Sequence, residues 1–178
     1  MVEAEKVEVI RELKAGRDAL RDAVAGVDDA MAASKPSQGS WSILDCLEHV
    51  VVTERYLLTH LQTAKVADQP FEKWRREAKI AARAADRSRP IAAPEQAHPR
   101  GRYGTVAAAM AAFDETRAEV VRWIKECEDD LRCMMTDHVL IEGPVTCAET
   151  LVMIAAHPSR HAKQIGEIRQ RLEASEQK

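Results

Sequence analysis

Four stretches of the chain carry apolar residues at three- and four-residue spacing, the period of an amphipathic helix. The first runs from Glu3 to about Ala33, with Ile10, Leu13, Leu20, Val24, Val27 and Met31 in one stripe and Arg17 inside it. Pro36 cannot continue a helical ladder and restricts the residue before it, so this helix should end ahead of Ser34-Lys-Pro36. The second starts at Ser42, which forms a capping box with Asp45, and runs to about Lys65. Leu44, Leu47, Val50, Val51, Leu57, Leu58 and Leu61 supply its apolar face. His49 lies at the edge of that face with Thr53, Tyr56 and His60 beside it, and Glu54 lies nearer its centre. The third is N-capped by Thr105 and extends to about Asp130, with Val106, Met110, Phe113, Val120 and Ile124 in its stripe and Arg117 in the middle. The last begins at a capping box formed by Thr146 and Glu149 and reaches about Ala174. On it Leu151, Ile154, His157, His161, Ile165, Ile168 and Leu172 share one arc, so both histidines face the core.

The connections are as informative as the helices. Asp68 to Tyr103 holds most of the prolines and a dense run of Arg and Ala. Phe71 to Ala85 is compatible with a short polar helix, and Ser88 to Gly104 reads as an irregular crossover through Pro90, Pro94 and Pro99. So long a link is unusual between neighbouring helices, which suggests that the second and third run parallel, joined by a strap along the bundle. Leu131 to Gly143 forms a second connection and contains His138.

Composition agrees with this outline. The 178 residues suit one domain spanning 1–178, and seven glycines and seven prolines leave long stretches free of helix breakers. The formal net charge is −3 with Lys and Arg interspersed among acids, which disfavours nucleic acid as a partner. No apolar run reaches the roughly 18 residues that span a bilayer, so no membrane partner is expected. Met-Val-Glu-Ala-Glu-Lys at the start lacks the form of a signal peptide. Cys46, Cys127, Cys133 and Cys147 contain no C-x-x-C pair and suit reduced thiols in the cytoplasm.

The candidate chemistry lies in the histidines. His157 and His161, four apart on a helix, project from one face a turn apart, which is the reach a transition metal needs from two imidazoles. His49, near the inner face of the second helix, offers a third. A lone histidine on an apolar face is most often a hydrogen-bonded core residue, so only the three together argue for a metal. Three histidines with an open position are a catalytic rather than a structural donor set. Pro158 falls between the two ligands and should free the carbonyl of Ile154. Either the helix kinks there or it ends at Ala156 and restarts at Pro158; the unbroken phase of the apolar arc favours the kink.

These landmarks resemble the DinB/YfiT-like metalloenzyme family over nearly the whole chain. Trp41-Ser-Ile-Leu-Asp-Cys-Leu-Glu-His49 is similar to the family's opening of its second helix, and His157 to Ile165 to its closing H-x-x-x-H-x-x-Q-I pattern. Pro99 to Thr105, Arg117 and Thr146 are similar to its later landmarks. Pro158 departs from the family, where an acidic or small residue is more usual. The resemblance implies an all-α fold, a four-helix bundle in up-down-down-up order with a long crossover between helices 2 and 3. It implies His49, His157 and His161 as ligands of a divalent metal, zinc or nickel. For some relatives it also implies a low-molecular-weight thiol as co-substrate, and it implies a homodimer by analogy.

The expected activity is metal-dependent chemistry on a small molecule, either as a hydrolase or as a thiol transferase. The alternative is a non-catalytic bundle that binds metal or a partner in a stress response. The Pro-Ser-Arg between the histidines excludes the Glu of an H-E-x-x-H protease, and no general base is evident. Glu54 and Arg117 face inward and should pair between the second and third helices, since unpaired buried charges are costly. Gln164 is a candidate partner for a ligand's second nitrogen, Tyr56 a candidate pocket wall, and Arg17 either reaches solvent or offers a cation to an anionic substrate. His60 lies roughly 16 Å along the helix from His49, too far to share its metal. His98 and His138 read as loop residues at the surface, and Glu48 as a solvated acid.

Overall fold

The computed structural model describes residues 1–67, 76–136, 141 and 143–176. The main helices are α1 (Glu3–Val24), α3 (Ile43–Gln62), α5 (Val106–Glu126) and α6 (Cys147–Glu176), with α2 (Asp29–Ala33) and α4 (Glu77–Ala85) as short additions. They form an all-α four-helix bundle. Its chain directions follow from two core layers. One layer joins Val9 and Leu13 of α1 to Leu57 and Leu61 of α3, Val120 and Ile124 of α5, and Leu151 and Ile154 of α6. The other joins Leu20 and Val24 to Leu47 and Val50, Ala109 and Phe113, and Ile165 and Ile168. In α1 and α6 the chain passes from the first layer to the second, and in α3 and α5 from the second to the first. The order is therefore up-down-down-up, and the link between α3 and α5 runs the length of the bundle.

Helix starts were set by local chemistry. Ser42 accepts from the Asp45 amide while Asp45 accepts from the Ser42 amide, at 3.0 and 2.9 Å. Thr105 caps α5 through the Ala108 amide at 3.1 Å. Thr146 and Glu149 make the reciprocal pair at the head of α6, both at 3.1 Å.

Two features differ from the pattern read in the sequence, and a third decides between the two alternatives at Pro158. The expected first helix to Ala33 is broken after Val24: Gly26 takes φ +73°, which ends the helix, and Asp28 starts α2 by accepting from the Met31 amide. Second, Lys65–Val66 (β1), Met134–Thr136 (β2) and Val145–Thr146 (β3) form a small antiparallel sheet in the order β1-β2-β3. It closes the end of the first core layer, where Leu131 and Met134 are buried. Segments of two or three residues are too short to show an alternating period, so they read as connection. Third, α6 runs unbroken through Pro158, so the helix does not stop at Ala156 and restart. The expected polar helix from Phe71 is α4 where described, its earlier residues and His138 lying outside the described residues.

Pro158 is accommodated by its surroundings. It has no N–H to give to the Ile154 carbonyl. Arg117 supplies a donor instead: its Nη2 lies 3.4 Å from that oxygen and 2.6 Å from Glu54 Oε2, and its Nη1 donates to the Leu13 carbonyl at 2.8 Å. One guanidinium thus links α5 to α1, α3 and α6. Both charged groups are buried, with Glu54 3% and Arg117 4% exposed. Burial pushes the Glu54 carboxyl up to about 7 against the opposing pull of Arg117. Beside this node α1 comes very close to α6: a Cβ at Gly16 would sit well inside contact distance of the Ala155 carbonyl and 3.7 Å from Pro158 Cγ. No described helix is long and apolar enough to cross a membrane.

Two stability tests follow from this packing. Helix propensity alone would favour Gly16→Ala by about 1 kcal/mol. The obstructing atom is a backbone carbonyl that cannot rotate away, and overpacking of this kind costs about 1–3 kcal/mol. Urea unfolding is therefore expected to show Gly16→Ala as a net loss; a gain would mean that the helices are not held this close. Arg117→Met should cost about 3–5 kcal/mol, because it leaves the buried Glu54 carboxyl unpaired and removes the side-chain donor to the Ile154 carbonyl. Glu54→Gln, which keeps a polar neighbour for Arg117, should cost clearly less, and equal losses would refute the four-helix role of Arg117.

Candidate metal centre

His49 stands in the second turn of α3, and His157 and His161 stand one turn apart in the middle of α6. α3 and α6 pack against each other. The three imidazoles converge: one ring nitrogen from each lies within 4.8 Å of the other two. Ring centroids are 4.5 Å apart for His157–His161, 4.7 Å for His49–His161 and 5.2 Å for His49–His157. The two Nε2 atoms of His157 and His161 face each other at 3.0 Å.

Their protonation suits metal ligation. Burial lowers the pKa of His49 and drives that of His161 well below the ordinary value, helped by the neighbouring imidazoles and Arg160. Near neutral pH both rings are therefore neutral, the form in which imidazole binds a metal. His49 Nδ1 lies 2.7 Å from the Ala97 carbonyl, an acceptor only, so its proton is held at Nδ1 and Nε2 keeps its lone pair. Such an oriented, deprotonated nitrogen is what an outer-shell carbonyl provides in metal sites. The donor set thus fits a transition metal.

The wall over His49 is the strap. It contributes a single 3-10 turn, Glu95–Ala97, whose last residue supplies the carbonyl. Glu48, expected in solvent, is instead 2% exposed. Its carboxylate accepts from the Arg100 amide at 2.6 Å and the Arg102 amide at 2.8 Å, and pairs with the Arg102 guanidinium. The strap crosses directly over the residue before His49, which no helical phase could reveal. Trp41 covers the other side, its ring 5.0 Å from that of His49 and 6.5 Å, stacked, from that of His161.

Beside the imidazoles opens a cavity of about 820 Å³, lined from α3, α4, α6 and the strap. Tyr56 and Gln164 line it, as does exposed His98, whose Nε2 lies 2.9 Å from the Ala93 carbonyl. Gln164 lies close enough to His161 to oppose the fall in its pKa, yet His161 Nδ1 is buried and makes no hydrogen bond. Arg17 does not belong to this wall: Asp18, next in sequence, takes its guanidinium at 3.1 Å. His60 packs on Tyr56, with ring centroids 4.4 Å apart. Reasoning from the sequence missed Arg160, which lies three residues after His157 and so on nearly the same side of α6, and Arg87, which nothing in the sequence marks.

The fold is a four-helix bundle with three inward histidines beside a cavity. A family model for the DinB superfamily matches residues 12–165, and the chain belongs to that superfamily. Among solved structures, YfiT from Bacillus subtilis is described as a probable metal-dependent hydrolase with an unusual four-helix bundle topology. It is similar with a TM-score of 0.60 at 14% identity, covering 97% of this chain and 90% of its own. TT2238, described as a four-helix bundle protein, is similar with a TM-score of 0.59 at 18% identity, covering 91% of this chain and 98% of its own. These likenesses show the fold. No curated protein matches by sequence.

The link from Glu48 through the strap to His49 is open to test by long-range 15N NMR of the metal-free protein. His49 is expected as the Nδ1–H tautomer, and Glu48→Ala should give a mixed population as the Ala97 carbonyl moves away. An unchanged His49 signal in the variant would separate Glu48 from the site.

Proposed function

We propose that His49, His157 and His161 hold a divalent transition metal, zinc or nickel, and that the protein uses it to hydrolyse a small molecule. The convergence of three imidazoles on one point, with His49 and His161 held neutral by burial, carries this reading. A metal held by three neutral ligands keeps its charge and an open position, and lowers the pKa of a water or thiol placed there. The chain's own residues orient and enclose. Ala97 keeps the His49 proton away from the shared point, Trp41 and the strap exclude bulk water on two sides, and the cavity has room for a substrate several times the size of the site. The description of YfiT as a probable metal-dependent hydrolase supports the same reaction class.

A second reading, transfer of a low-molecular-weight thiol, is favoured by one observation. Among the described cavity-lining residues the only carboxylate is Glu167, and Arg87 holds it at 3.1 Å. Hydrolysis needs a group to accept a proton, whereas a thiol that arrives as thiolate does not.

Protein purified without chelator or nickel column is expected to carry about one transition-metal ion per chain. His161→Ala should lose that ion with helical circular dichroism unchanged. Ester-hydrolysis and thiol-transfer panels on the loaded protein then decide between the two reactions. A filled site inactive in both would make the protein a metal-binding module instead, and no bound metal in the wild type would overturn the reading.

A further inference from the structure

The cavity lining carries more cations than carboxylates, and one of those cations, Arg76, is already paired with Glu149. Arg76, Lys79, Arg83, Arg87, Arg160 and Arg171 line it, against the single carboxylate of Glu167 among the described lining residues. Two of these arginines are held with donors to spare. Arg160 is 6% exposed; its Nη2 donates to the Arg89 carbonyl at 2.9 Å, and its Nη1 is buried with no partner. Arg87 gives Nη2 to Glu167 and leaves Nε buried without a partner. A guanidinium cannot shed its proton to escape this situation, so each buried, unmatched N–H is unfavourable until an acceptor arrives. The two arginines line the same cavity. Arg160 also lies between the two α6 histidines in sequence, which sets the cationic pair beside the imidazoles. Trp41, Ile80 and Met153 supply apolar wall in the same cavity.

We infer that Arg160 and Arg87 form an oxyanion-binding subsite, and that the cavity takes a small molecule with a carboxylate or phosphate at one end and an apolar body. Guanidinium N–H groups match the lone pairs of both anions, and the interaction is stronger in a partly desolvated pocket than in water. The cationic lining also raises the local concentration of anions near the mouth. Calling this ligand a substrate rests on the proposed metal-dependent activity; the subsite itself does not.

The test uses benzoate, phenyl phosphate and neutral benzamide as probes of one shape, titrated calorimetrically into chelator-treated and zinc-loaded protein, with zinc content measured on the same samples. At least one of the two anions is expected to bind the chelator-treated protein at least tenfold more tightly than benzamide. Preference for one anion tells carboxylate from phosphate. Arg160→Gln should weaken that anion at least tenfold while leaving benzamide unchanged; where it fails to fold, Arg87→Gln decides. Anions that bind no better than benzamide, or equally well to a folded variant, overturn the subsite. Anion binding without zinc uptake would uphold it and reject the metal reading, whereas zinc uptake without anion preference would do the reverse.

Discussion

The bundle depends on one guanidinium. Arg117 reaches from α5 to carbonyls of α1 and α6 and to the Glu54 carboxylate of α3, so all four long helices meet at a single charged group. It sits at the level where the two core layers adjoin and where Pro158 has removed a helical donor. The proline and the buried charge are therefore two halves of one arrangement. Without Arg117 the Ile154 carbonyl would lose this donor in the interior, and without the free carbonyl the guanidinium would have one acceptor fewer. Gly16 completes it by letting α1 approach where a side chain would hold it off.

That arrangement positions the two histidines of α6. His157 and His161 lie on either side of the proline in sequence on an unbroken helix, so their one-turn spacing is preserved. The third imidazole is positioned from outside the bundle. The strap is anchored by Glu48 through two backbone amides and a guanidinium, and it returns a carbonyl to His49. A crossover that topology requires, because α3 and α5 are parallel, thus also serves as a wall and as an orienting group.

The electrostatics of the site pull in two directions. Burial keeps His49 and His161 neutral, which a cation needs, while the surrounding arginines repel a cation and attract anions. The proposed anionic ligand would offset the arginines and weaken the field opposing a metal at the three histidines. The histidines and these arginines line one pocket.

Helix spans, caps and the inward phase of the three histidines were legible in the sequence because they rest on interactions within a few residues: a 3.6-residue period, Ser42 with Asp45, Thr146 with Glu149. The inward pairing of Glu54 with Arg117 was legible for a related reason, since helical phase alone placed two charges where only each other could satisfy them. The break at Gly26 was local too, but an apolar stripe running on in phase hid it. What tertiary structure decided lay between residues far apart in the chain. The strap's path buried Glu48 and brought Ala97 to His49, and the fold over α6 set Arg87 and Arg160 along one cavity. Periodicity reports which way a side chain faces along its own helix; it carries no information on what another segment brings to meet it.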